Sequence, residues 1–337
     1  VMRLAVLITC FNRQQKTLQC LERLATQLQF DLPMPQGETA APLVQLTVYL
    51  LDNGADGTFE AVAAQFPWVE LSRGHAGLYW SSGMRRVWQQ ALADEAAQTP
   101  YDFYLWLNDD VVLAPDAVCR LLDSYLRLTP DAGALIGTVS IPSSNISSTI
   151  SSTISSTISS TPNTTSMGMS EAQQAPSVPS YGGRQRISKL NPLAFGPVLQ
   201  PSDQPQRCVF INGNICLIPH AAVATVGILS EHFSHGLGDF DYGLRLQQAG
   251  FATYIAPGFY GECAQNSKRG SILDANLPLA TRLQMLKRPN VLPPASEWRT
   301  YVRLHAGRLW PLWWLMSWGR QLFPWLWLWL RQQQVRP

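Results

Sequence analysis

Residues 101–113 read YDFYLWLNDDVVL. An aromatic and aliphatic run ends in Asn108-Asp109-Asp110, and Pro115 then opens a stretch to Leu128 with helical spacing. Proline suits the first turn of a helix. The short apolar run before it reads as a strand buried on both faces. The same unit recurs upstream. Leu4–Thr9 is almost wholly apolar, and Leu18, Leu21, Leu24 and Leu28 follow at helical spacing. Val44–Leu51 leads into DNGADG and a helix over Thr58–Phe66; WVELS leads into a helix over Trp80–Ala97. Strands separated by single helices predict an α/β fold with a doubly wound, mostly parallel, Rossmann-like sheet. Ligands bind such sheets at the carboxyl ends of the strands. That rule selects Thr9–Arg13, Asp52–Gly57, Arg73–Gly77 and Asn108–Asp110.

The 337 residues are 46% hydrophobic and 14% charged, enough apolar material for a core. Net charge is +2, which gives no reason to expect nucleic acid as a partner. The distribution is uneven: from Arg282 onward there are nine Lys/Arg against one acidic residue, Glu297, and eight of the twelve tryptophans. None of the six cysteines forms a CxxC pair, which excludes a zinc ribbon or thioredoxin-type motif. Most lie in apolar stretches, so a reducing, cytoplasmic compartment is expected. The chain enters its first strand directly, and no secretory leader is expected.

From Ser140 to about Pro205 the pattern breaks. ISST repeats four times between Ile146 and Thr161, and Asn145 and Asn163 begin sequons that read as chance matches. Such composition builds no core, so residues 141–206 are expected to be a disordered insertion. Order returns with a strand-like run from Cys208 (CVFINGNICLI), a helix from Pro219, GLGDFDYGLRLQQAGF and the strand FATYIA. The expected organisation is one half over 1–140, a second half over 207–288, and a basic, Trp-rich tail over 289–337.

Each candidate site has a plainer alternative. Asp109 and Asp110 can hold a hard divalent cation through oxygen ligands, or cap the next helix. Asp52 can accept hydrogen bonds from a ribose or base edge, with Asn53 beside it; Asp-Asn-Gly is also ordinary turn chemistry. In RGHAGLYWSSGM, Gly77 and Gly83 flank Trp80 and permit close approach of a phosphate to a helix start. The spacing is not G-x-G-x-x-G, so a dinucleotide site is not supported. Asp239 and Asp241 open a helix, one as a candidate general base and one as a cap. His232 and His235 lack the further ligands that zinc requires.

The order of these motifs is more specific than any one of them. From VLITCFNR through LLDNGADGT, GHAGLYWSSGM and YLWLNDDVVL to FINGNICLI and GLGDFDYGLRL, residues 3–260 resemble the family 2 glycosyltransferases of GT-A fold, nearest the bacterial rhamnosyltransferase-like branch. The resemblance implies that Thr9, Phe11 and Arg13 bind nucleotide and that Asp52 contacts the base. It also implies that Asn108, Asp109 and Asp110 hold ribose and metal, with Asp110 the ligand of Mg²⁺ or Mn²⁺, and that Asp239 is the catalytic base. Asn53, Gly77, Trp80, Gly83 and Asp241 complete the expected substrate-binding set. Three positions depart from the family pattern: Asn108 opens the DxD-type motif, Gly238 replaces the usual Glu, and Glu262-Cys263 stand where many relatives place His.

The implied activity is inverting transfer of a sugar from a nucleoside-diphosphate donor to a saccharide or lipid-linked acceptor, in cell-surface polysaccharide or glycolipid synthesis. Leu309–Leu330 is long enough to span a bilayer but carries Arg320, Pro324 and seven tryptophans, so a helical segment lying in the membrane interface is expected. That places the enzyme on the inner face of the cytoplasmic membrane. Competing readings are a nucleotidyltransferase, whose glycine-rich basic loop FNRQQK lacks, and a non-catalytic binding or scaffold protein on the same fold.

Overall fold

In a computed structural model the described residues are all but 34–40, 97–98, 143–176, 189–190, 192, 267–269, 273, 275 and 336–337. The chain runs β1 (Met2–Cys10), α1 (Gln14–Ala25), β2 (Gln29–Asp31), β3 (Leu43–Asp52), α2 (Thr58–Gln65), β4 (Val69–Arg73), α3 (Trp80–Ala96) and β5 (Phe103–Leu107). Next come β6 (Val112–Leu113), α4 (Ala117–Leu126), β7 (Ala132–Ser140), β8 (Pro179–Tyr181), β9 (Arg184–Arg186), β10 (Phe195–Val198) and β11 (Gln206–Arg207). It continues through β12 (Ile215–Pro219), α5 (His220–Val226), α6 (Gly238–Gln248), β13 (Ala252–Glu262) and α7 (Leu279–Met285). Three helices close it: α8 (Ala295–His305), α9 (Trp310–Leu322) and α10 (Pro324–Val335).

β4, β3, β1 and β5 pair in parallel, in that order. β12 then runs antiparallel to both β5 and β7, and β13 returns parallel to β7. The sheet is therefore mixed, with its parallel character interrupted at β12. The winding reverses between β1 and β5, and the ligand crevice of an open α/β sheet lies at such a reversal. Ile215 pairs with Leu107, so the residue entering β12, Asn214, lies beside the residue leaving β5, Asn108.

Alternation along β1 divides the core. Leu4, Val6, Ile8 and Cys10 join α1, α2 and α4 on one face; Ala5 and Leu7 join α3, α5 and α6 on the other. Both sets are fully or almost fully buried, which explains a strand with no polar period. A third cluster forms around Phe210, Phe233, Leu244, Tyr301 and Val302, with Trp313 and Trp314 against it.

The structure corrects the expected limits of the insertion. All four ISST units, Asn145 and Asn163 lie outside the described residues. Much of 177–206 is structured, with β8 pairing β7 and β9 pairing β10. Gly183 makes this possible: a Cβ there would lie 2.5 Å from Ile255 Cγ2, so a larger residue could not let the strand lie flat on the sheet. The strand expected from Cys208 begins only at Ile215, because residues 208–214 bend across the sheet edge to meet Arg184. The Leu309–Leu330 segment of the tail is two helices rather than one, broken at Pro324. Among the described residues no helix is long and apolar enough to cross a membrane.

Candidate active site

The carboxyl ends of β1, β3 and β5 meet over α1 and α3. Arg13, at the start of α1, ion-pairs with Asp109 and with Asp110 Oδ2 at 2.8 Å. Lys16 lies 4.0 Å from the same Asp110 oxygen. Thr17 Oγ1 donates to Asp109 Oδ2 at 3.1 Å. Asp109 is buried, and burial pushes its carboxyl up to about 7 against the pull of Arg13. Its bonds tie the loop after β5 to α1. Asp110 Oδ1 is buried and has no hydrogen-bond partner, an oxygen available to a ligand.

Trp80 holds the centre. Its indole Nε1 donates to Asn108 Oδ1 at 2.7 Å, and its backbone N–H donates to His235 Nδ1 at 3.3 Å. Gly213 lies against the rim of the indole, where a Cβ would be 2.2 Å from Cζ2. Asn108 Nδ2 donates to Asn214 Oδ1 at 3.1 Å. From Gly213 the backbone N–H reaches Asp239 Oδ2 at 3.3 Å. One continuous set of contacts thus runs from Asp109 and Asp110 through Asn108 and Trp80 to Asp239.

Asp239 occupies the first turn of α6, and its Oδ1 accepts from Phe240 N–H at 2.8 Å. Burial raises its pKa to about 7, opposed by those two backbone donors and by Arg184. A carboxylate with a pKa near neutrality suits proton abstraction. His235 is pushed down to about 4 by burial and by Arg13, so its ring is neutral and accepts from Trp80.

Other expected residues serve the frame. Asp52 Oδ1 accepts from Gly54 N–H at 2.8 Å, fixing the turn after β3. Thr9 and Asn53 are buried and bond to each other at 2.7 Å. They lie under Gly83, where a Cβ would come 2.6 Å from Thr9 Oγ1, so this glycine seats α3 on β1. Phe11 is 46% exposed at the rim, and Gly77 lies in the exposed turn before α3.

Asp241 is a correction. It is fully buried, bonded to Arg245 at 2.8 Å and to His305 Nε2 at 2.8 Å, and is therefore a brace between α6 and α8 instead of a substrate contact. Arg184, His235 and Asn214 reach the site without having been predicted there. Asn214 falls inside FINGNICLI and His235 directly precedes GLGDFDYGLRL, while Arg184 lies outside every motif and is brought in by its pairing with Phe210. Cys263 accepts from Asn214 Nδ2 at 3.6 Å.

Over 223 residues the chain is 26% identical to the N-acetylglucosaminyl-diphospho-decaprenol L-rhamnosyltransferase of Mycobacterium tuberculosis, in strains CDC 1551 / Oshkosh and ATCC 25618 / H37Rv. The match covers 63% of this chain and 64% of that protein, a little under two thirds of its length. No protein-family model matches the chain. The crystal structure of GalNAc-T7 with UDP, GalNAc and Mn²⁺ superposes at TM-score 0.53 and 11% identity, over 90% of this chain and 48% of that one.

The fold is GT-A. The mannosyltransferase PcManGT of Pyrobaculum calidifontis, solved with GDP-Man and Mn²⁺, aligns at TM-score 0.45 and 13% identity over 94% of this chain and 84% of that one. Within the GT-A frame, Asn108-Asp109-Asp110 follows the strand beside the winding reversal, and Asp239 opens the helix of the second half.

Proposed function

We propose that the protein is an inverting glycosyltransferase that moves a sugar, rhamnose or another hexose, from a nucleoside-diphosphate donor to an acceptor hydroxyl. One observation carries the reading: a buried carboxylate with a pKa near 7, Asp239, joined through Trp80 to the acidic loop of Asp109 and Asp110. Asp239 takes the proton from the acceptor hydroxyl as its oxygen bonds to the anomeric carbon. The bond from that carbon to the diphosphate breaks on the opposite side, and configuration inverts. Such base assistance is worth roughly 10²–10⁴-fold. Arg13 and Lys16, already beside Asp110, face the charge that grows on the leaving diphosphate.

The residues present fit a divalent cation shared with the donor. Among the described residues no cluster of three protein ligands exists, but Asp110 Oδ1 is buried and unpartnered. Mg²⁺ and Mn²⁺ sites commonly use one or two carboxylates with substrate phosphates. Asp110 would hold the ion, which when bound supplies charge stabilisation at the diphosphate. Residues 1–140 form the donor half and 207–288 the acceptor half in this reading.

The M. tuberculosis relative is named for a diphospho-decaprenol acceptor, and we assign this chain a lipid-linked acceptor in cell-wall glycan synthesis. The exposed apolar residues of α9 and α10 support a position on the inner face of the cytoplasmic membrane. Thermal shift with UDP, GDP, dTDP and CDP, with and without Mn²⁺, tests the donor class. Stabilisation by one nucleotide is the expected result, and none by any would end the reading.

A further inference from the structure

α7 and α10 enclose a groove of about 450 Å³ lined by Leu279, Arg282, Trp325, Leu326, Leu328 and Trp329. Its walls are apolar apart from one group. Arg282 Nε and Nη1 are buried there and have no hydrogen-bond partner. A guanidinium stays charged at every physiological pH. Buried donors without acceptors are costly, so this group is complementary to an anion. Among the described residues no acidic side chain lines the groove. Trp325 and Trp329 lie one helical turn apart and are each about half exposed, leaving an aromatic stripe that runs from the cation to solvent.

An anionic head joined to an apolar chain satisfies both features at once. We infer that this groove binds the lipid diphosphate of the acceptor, its phosphate oxygens on Arg282 and its hydrocarbon chain along Leu279, Trp325, Leu326 and Trp329. The inference rests on the lipid-linked acceptor proposed above, which supplies a molecule of that chemistry. The planar fork of arginine matches a diphosphate through paired hydrogen bonds, which a lysine at this position would not reproduce.

Equilibrium dialysis of the full chain against tritiated geranylgeranyl diphosphate tests it. The wild type should bind, Arg282→Gln should bind about tenfold or more weakly, and Arg282→Lys should recover part of the loss. Trp329→Ala, at an exposed position, should also weaken binding while leaving Tm unchanged. Geranylgeraniol, inorganic diphosphate and palmitate should each compete poorly. Equal binding by Arg282→Gln, or competition by the alcohol or by phosphatidylglycerol vesicles as effective as unlabelled ligand, would overturn the assignment. The donor reading separates cleanly. Prenyl diphosphate binding without nucleotide binding would support the groove and sink the donor site; nucleotide binding without prenyl diphosphate binding would do the reverse.

Discussion

Trp80 ties three segments together through its backbone N–H, its indole N–H and the rim of its ring. A Cβ at residue 213 would overlap that ring, so Gly213→Ala must displace either the indole or the turn holding Asp239. The expected outcome is a lower Tm together with weaker nucleotide binding, measured by thermal shift. Asp239 itself gives a sharper test. It acts as a base only when ionised, so kcat/KM should rise with pH up to about 7 and level off above. Asp239→Asn should lose roughly 10²–10⁴-fold in kcat with donor Kd unchanged. The same raised pKa carries a stability sign. Protonated Asp239 is the form the fold favours, so its contribution is present below the ordinary carboxylate range and lost as pH rises through about 7. The Asn variant should therefore gain Tm relative to wild type at pH 8 compared with pH 5.

At the scale of elements, α6 depends on α8. Asp241 joins Arg245 within α6 and His305 at the end of α8. Glu297 at the start of α8 accepts from Ser234 at 2.6 Å, in the loop that carries His235. Asp241→Ala would leave the buried His305 and the partly buried Arg245 without their shared carboxylate, at a cost of about 3–5 kcal/mol. Chemical denaturation should show that loss, while any folded fraction keeps its donor affinity. The sequence made Asp241 look like a site residue because two carboxylates at a helix start are equivalent in one dimension; their partners separate them, backbone N–H groups for Asp239 and the Arg245 and His305 side chains for Asp241. β1 and β5 were legible because burial on both faces leaves an unbroken apolar run, and β3 from its buried second half, Val48–Leu51. The reversed direction of β12 was not, since hydrophobic pattern carries no strand direction. Residues 177–206 were misread for a related reason: short edge strands that rest on glycine and borrow their partners have no period of their own. Arg184 enters the site from that segment, beyond the reach of any local motif.

For the whole molecule, the outer surface of α9 and α10 is the feature that globular packing leaves unexplained. Leu312, Leu315, Met316, Leu322, Phe323, Trp325, Trp329 and Leu330 are all exposed, while Trp313 and Trp314 turn inward to the third core. Exposed apolar side chains gathered on two helices mark an interaction site. Tryptophan favours the bilayer interface, and Arg299, Arg303 and Arg308 lie on or next to the same helical unit, where each would add about 1 kcal/mol on an anionic surface. Flotation with anionic vesicles should carry the wild type upward and weaken as salt rises. Leu315→Asp combined with Leu322→Asp places two charges on the outward face without touching the core, so Tm should hold while flotation falls. Neutral vesicles should retain less protein than anionic ones, because the apolar contribution persists and the arginine contribution does not. Flotation unchanged in the double variant would place the lipid contact elsewhere on the molecule and leave this surface for a protein partner.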